Sequence, residues 1–226
     1  MSKILVVAAH PDDELLGVGG TVRRLSDEGN EVYALIMAEG ITSRSDKRED
    51  SDQSELDALK KDSRKACETV GYKDVEFCGL PDNRMDSLDL LDVIKKLTPF
   101  IEKYSPEIIF THHHGDLNID HRITNEAVLT CTRPMLGEKV RKILAFETPS
   151  STEWNYNYTE PFTPNVYYDI TQTVDFKIKG MDCYKSERRE YPHPRSGEAL
   201  EALAKVRGSQ CGFENAEAFM LLRECI

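Results

Sequence analysis

The chain has little of what would tie it to a membrane, an oxidising compartment or nucleic acid. No apolar run in its 226 residues approaches the ~20 residues that a membrane-spanning helix needs. Met1-Ser2-Lys3 and the short apolar run after it lack the longer hydrophobic segment and small-residue cleavage site of a secretory signal. A cytoplasmic location is therefore expected. The six cysteines, at 67, 78, 131, 183, 211 and 225, include no Cys-x-x-Cys pair. A chain of this size has no need of disulfide staples, so reduced thiols are expected. Positive charge is scarce, with 29 Lys and Arg against 40 Asp and Glu and a net charge of −11. That argues against nucleic acid as a partner, because such binding depends on cations that neutralise phosphates. Internal repeats and low-complexity segments are also missing.

What the chain does contain is an alternation of short apolar runs with longer amphipathic stretches. Strands are expected at Lys3–Ala8, Glu31–Met37, Asp74–Cys78, Glu107–Thr111 and Lys139–Phe146, with a weaker one at Asn165–Ile170. Helices are expected near Leu16–Asp27, Ser54–Val70, Leu88–Tyr104 and His121–Arg133, and residues 171–226 are read as a helical C-terminal part. Gly29-Asn30 and Gly71 fit the ends of the first two helices. This pattern implies a single α/β domain over 1–226, a Rossmann-like parallel sheet flanked by helices. Ligands of such sheets bind beyond the carboxyl ends of the strands. Two polar clusters obey that rule: His10–Glu14 after the first strand, and His112-His113-His114 after the fourth.

The first cluster, Ala9-His10-Pro11-Asp12-Asp13-Glu14, crowds an imidazole and three carboxylates at the exit of a buried strand, where unpaired charge is costly. A divalent cation relieves the crowding, and His10 with Asp13 offers one nitrogen and one oxygen suited to zinc. A helix-capping turn would explain one carboxylate but not all three with the histidine. A catalytic zinc needs a third protein ligand. His121 in Asn118-Ile119-Asp120-His121 is the best candidate, with Asp120 orienting an imidazole. Asp12 is expected to take a proton from zinc-activated water, and Glu14 and Asp116 to act as supporting groups. The acid opposite Asp12 is sought among the three histidines after the fourth strand. His112 is placed ahead of His113, and alternation along a continuing strand points the two to opposite sides, so only one of them is expected to enter the site.

These residues resemble the PIG-L/LmbE-like zinc de-N-acetylases, which carry a His-Pro-Asp-Asp-Glu-like motif near the N terminus and a His-x-Asp-His-like motif near mid-chain. Pro81-Asp82, Ser151-Thr152-Glu153-Trp154, His193-Pro194-Arg195-Ser196 and Ala216-Glu217-Ala218-Phe219 resemble further segments of a bacterial branch of that family. The resemblance implies a Rossmann-like fold and one Zn2+ per chain on His10, Asp13 and His121, with Fe2+ as the alternative. It also implies Asp12 as general base and hydrolysis of the acetamide of an N-acetylglucosamine-type sugar, free, nucleotide-linked or part of a glycan precursor. Asn118 stands where that family often has a histidine, and an asparagine donates a hydrogen bond but delivers no proton. Substrate contacts are expected from Arg44, His113, Trp154, His193 and Arg195, on loops that border the site. A homo-oligomer is compatible with this reading. Two other classes were weighed. Gly17-Val18-Gly19-Gly20 is a poor dinucleotide loop because Val22 occupies the last glycine position. A non-catalytic sugar- or metal-binding module has only Asn118 in its favour.

Overall fold

The computed structural model describes residues 1–44 and 52–226, with the side chain of Arg44 outside the described part. Seven strands form one sheet: β1 (Lys3–Ala8), β2 (Glu31–Ala38), β3 (Asp74–Leu80), β4 (Ile108–His112), β5 (Lys142–Phe146), β6 (Val166–Asp169) and β7 (Ala216–Glu224). Their order is β3-β2-β1-β4-β5-β7-β6. The first five strands run parallel, and β7 lies antiparallel between β5 and β6. The helices are α1 (Asp13–Leu16), α2 (Gly19–Asp27), α3 (Gln53–Val70), α4 (Leu90–Tyr104), α5 (Ile119–Cys131), α6 (Val174–Met181) and α7 (Gly197–Ser209).

Strand β1 explains the two-layer core. Side chains alternate between the faces of a strand. Ile4 and Val6 accordingly enter the cluster beneath α1, α2 and α3, while Leu5 and Val7 enter the cluster beneath α4 and α5. The chain steps outward from β1 to β2 and β3 on one side, and through β4 to β5 on the other. The order reverses between β1 and β4, and the crevice beyond such a switch point is where open α/β sheets bind ligands.

Two expectations give way. The run Ala216–Glu224 is a strand and not part of a helical C-terminal region. Its Ala, Leu and Glu residues favour a helix locally, but burial between β5 and β6 supplies both of its edges with partners, and tertiary context overrides propensity. The helix expected over Leu16–Asp27 is two, α1 and α2, separated at Gly17-Val18. A Cβ on Gly17 would lie 2.3 Å from the Phe146 ring, so the absence of a side chain lets the turn after β1 pack on the end of β5.

Candidate active site

β1 ends at Ala8, and the chain turns sharply through His10–Asp13 into α1. Asp12 takes the left-handed conformation, φ 105°, which costs a non-glycine residue on the order of 1–3 kcal/mol. Gly40, after β2, approaches so closely that a Cβ there would stand 2.5 Å from Pro11 Cδ. From the other side, α5 begins directly beyond β4. Asn118 caps this helix by accepting the Asp120 N–H at 2.8 Å, and the first turn presents Asp120 and His121.

These two turns bring three ligand atoms together. His10 Nδ1 and His121 Nε2 are 3.3 Å apart, and each lies 3.2 Å from Asp13 Oδ2. The outer nitrogens are held by other carboxylates: His121 Nδ1 is 3.1 Å from Asp116 Oδ1, and His10 Nε2 is 3.1 Å from Asp120 Oδ2 and 3.4 Å from Asp82 Oδ1. The inner nitrogens and a carboxylate oxygen thus converge on one point, where a cation would be held by all three. The acid–base chemistry agrees. Burial alone would lower both imidazoles, yet Asp120 and Asp13 raise His10 well above its ordinary value, and Asp13 and Asp116 raise His121 to about 9. Asp13 is pulled well below the usual carboxylate range by His121 and His112, against the effect of its own burial. A two-His, one-carboxylate donor set fits a catalytic zinc site, which keeps a further position for water.

Carboxylates that orient metal-binding imidazoles are a recurring device. Asp116 fits that description: it accepts from Thr152 Oγ1 at 2.5 Å, from the Asn118 N–H at 2.9 Å and from the Ser151 hydroxyl. Burial tends to raise its carboxyl, but His121 and these donors bring it below its ordinary value. Asp120 accepts two backbone N–H groups, from Asn83 at 2.7 Å and Met85 at 3.0 Å.

Beside this cluster an open, mostly polar cleft of about 180 Å³ is lined by His10, Asp12, Asp82, Asn118, His121 and Arg195, among others. Asp12 is buried, and its Oδ2 accepts from Arg195 Nη1 at 2.6 Å. Burial pushes its carboxyl up to about 7 against the pull of Arg195. Arg195 also reaches Ser150 Oγ at 2.8 Å and Glu187 Oε2 at 3.3 Å. Behind Asp12 lies Glu14, raised to about 8 by burial.

Neither His112 nor His113 turns into the cleft. His112 is fully buried: its Nε2 accepts the Ala9 N–H at 2.8 Å, its Nδ1 is 3.1 Å from Thr148 Oγ1, and its ring stacks on His121 at 3.9 Å. Burial and the charge of His121 hold it well below its ordinary pKa. Strand alternation cannot reveal that the side chain pointing toward β1 is used up by the Ala9 backbone. His113 bonds the Glu160 carbonyl at 2.8 Å and packs edge-on against Phe162, and His114 pairs with the Glu160 carboxylate at 3.0 Å. Trp154 is partly exposed and meets His193 edge-on at 6.0 Å, and His193 Nδ1 accepts the Arg195 N–H at 3.1 Å. Arg44 ends a short turn, Thr42–Arg44, after β2, and its side chain lies outside the described residues. Sequence reasoning did not find Asn83, which accepts from Asn118 Nδ2 at 2.8 Å, nor Glu187 and Tyr184, which no local pattern marks.

A mostly parallel α/β sheet with a His-His-Asp cluster able to hold a cation, and a buried aspartate beside it at the switch point, has the layout of a hydrolase site. Residues 5–132 match the PIG-L family, described as GlcNAc-PI de-N-acetylase. The chain belongs to that family and is an amidohydrolase of the deacetylase type. It is 28% identical to a probable N-acetyl-alpha-D-glucosaminyl L-malate deacetylase 2 of Bacillus cereus, over 81% of this chain and 83% of that protein. The N,N'-diacetylchitobiose deacetylase of Pyrococcus horikoshii superposes with a TM-score of 0.77 at 22% identity, over 98% of this chain and 84% of that one. GalB, a 4-carboxy-2-hydroxymuconate hydratase from Pseudomonas putida KT2440, superposes with a TM-score of 0.78 at 22% identity, over 100% and 98%. The same fold thus carries different chemistry, and function has to be argued from the site.

Proposed function

We propose that this protein is a zinc-dependent hydrolase that removes the acetyl group from an N-acetylated amino sugar of the N-acetylglucosamine type, releasing acetate and the free amine. The convergence of His10 Nδ1, Asp13 Oδ2 and His121 Nε2 beside Asp12 carries this reading. When bound to those atoms, a divalent cation supplies Lewis acidity, which makes water a nucleophile at neutral pH and polarises an acyl carbonyl. Zn2+ suits the donor set, and Fe2+ is the alternative. Asp12 accepts the proton of the attacking water, with Arg195 fixing its Oδ2 and leaving Oδ1 for the transfer. The same carboxyl then returns the proton to the departing amine, since His112 and His113 are turned away and Asn118 delivers no proton. Asn118 and Ser151 edge the cleft as amide and hydroxyl groups able to contact the acetamide or the ring hydroxyls. The cleft volume of about 180 Å³ falls below the ~300 Å³ at the lower end for drug-sized ligands, which suits one acetamido sugar ring with its carrier outside. The relatives' substrates, an N-acetylglucosaminyl malate and diacetylchitobiose, share that chemical unit.

The test is acetate release by the zinc-loaded protein from free, nucleotide-linked and glycosidic N-acetylglucosamine. At least one substrate is expected to be turned over, with chelation abolishing the activity. Asp12→Asn is expected to lower kcat on the order of 10²–10⁴-fold, the usual contribution of a general base, while zinc content stays at the wild-type level. No acetate from any of the three, or an undiminished Asp12→Asn enzyme, would overturn the reading.

A further inference from the structure

Asp12 is held in an unfavourable backbone conformation, and the left-handed region persists for such a residue only where its surroundings over-determine it. The Asp12 N–H is caught by Glu14 Oε2 at 2.9 Å, two residues along the same turn. Glu14 is completely buried, and so is Tyr184, whose hydroxyl donates to the other carboxylate oxygen, Oε1. Tyr184 lies in the segment after α6, remote in sequence from the N-terminal turn. The Tyr72 hydroxyl donates to the Glu14 carbonyl at 2.9 Å, so Glu14 is gripped at both its backbone and its carboxylate. The same C-terminal stretch supplies Arg195, which fixes the Asp12 side chain. One peptide stretch, 184–195, therefore reaches both ends of Asp12: the side chain directly, and the backbone through Glu14.

We propose that Glu14 and Tyr184 are positioning residues that set the backbone of Asp12, and with it the aim of its carboxyl, without touching substrate. The proposal rests on Asp12 being the general base. A misplacement of a reacting group by about 1 Å can cost about 100-fold in rate, so a bond three atoms removed from the reaction is enough to govern turnover. Amide recognition in the cleft does not depend on the tyrosine hydroxyl, and metal ligation by His10, Asp13 and His121 does not involve Glu14.

The experiment compares Tyr184→Phe, Glu14→Gln and Glu14→Leu with Tyr104→Phe. The last variant removes another tyrosine–carboxylate bond, Tyr104 to Glu76, on the far side of the sheet. Tyr184→Phe and Glu14→Leu are expected to speed hydrogen exchange at the Asp12 amide. They should also lower kcat between about 10- and 100-fold with KM and zinc content unchanged. Glu14→Gln, whose amide oxygen still accepts the Asp12 N–H, is expected to restore protection and most of the rate. Tyr104→Phe is expected to lower thermal stability and leave kcat intact. Wild-type exchange at the Asp12 amide in both Tyr184→Phe and Glu14→Leu would overturn the proposal, as would a kcat loss that merely tracks lost zinc. The exchange measurement needs no substrate, so it stands even if the wild-type protein releases no acetate, a result that would instead count against the proposed function.

Discussion

At the scale of single residues, each of the two candidate ligand histidines has a carboxylate behind it, Asp120 for His10 and Asp116 for His121. Asp116 is the clearest case, because three donors, Ser151, Thr152 and the Asn118 N–H, hold its carboxylate beside the His121 ring. Removing its charge while keeping its shape weakens the imidazole as a ligand. Asp116→Asn is expected to lower zinc affinity about 10- to 100-fold, the usual cost of losing such a partner, measured by competition with a chromogenic chelator. The identity of these residues was legible in the sequence to the extent that they sit in short motifs. His10, Asp12 and Asp13 are neighbours, and Asp120 and His121 are neighbours. What no motif carries is the partner from a distant segment. Arg195 was expected at the substrate, and its closest engagement is with Asp12, 183 residues away. His112 was sought as an acid because it closes the fourth strand on the ligand-binding rim. Only the tertiary structure shows that the Ala9 N–H occupies the nitrogen it would need.

Among the elements, the strands β1, β2, β4 and β5 were readable because parallel strands covered on both faces are near-continuous apolar runs, and the edge strand β3 was readable from its short apolar positions Val75, Phe77 and Cys78. β7 was not, since Ala216–Glu224 mixes helix formers with alternating apolar positions, and its two neighbours alone decide the outcome. Its inward face carries Glu217, which accepts the Gly20 and Thr21 N–H groups at the start of α2, at 3.1 and 2.7 Å. Lys177 of α6 neutralises it at 2.6 Å and also donates to the Leu16 carbonyl at 2.8 Å. This buried pair ties β7 and α6 to the end of α1. Lys177→Met would strand the carboxylate in the core, and breaking a buried pair from one side costs about 3–5 kcal/mol. Chemical denaturation is expected to show that loss, with Lys177→Met/Glu217→Gln recovering a large part of it. Equal stability of the single and double variants would show the pair to be uncoupled.

For the molecule as a whole, a histidine whose pKa the fold depresses makes stability depend on pH. His113 is held below its ordinary pKa chiefly by burial, with His114 adding to the effect against the Glu160 carbonyl and Asp116. The unfolded chain takes up a proton at this position below about 6.5, while the folded chain takes it up only at lower pH. Within that window the unfolded state binds more protons, so stability falls as pH falls. The gap in unfolding free energy between wild type and His113→Gln is therefore expected to shrink as pH is lowered from about 6.5. A gap that stays constant through that range, followed by urea titration at each pH, would refute the assignment.

The left-handed Asp12 turn depends on segments far apart in the chain. His10, Asp13 and His121 all belong to the half of the chain that the family match covers. Tyr184 and Arg195 lie beyond it. On the proposed reading, the cation ligands and the residues that align the base therefore come from different parts of one polypeptide. The core beneath α1 to α3 likewise takes in Tyr184, Leu200 and Phe219, so the aim of this aspartate is a property of the complete fold and not of the N-terminal motif alone.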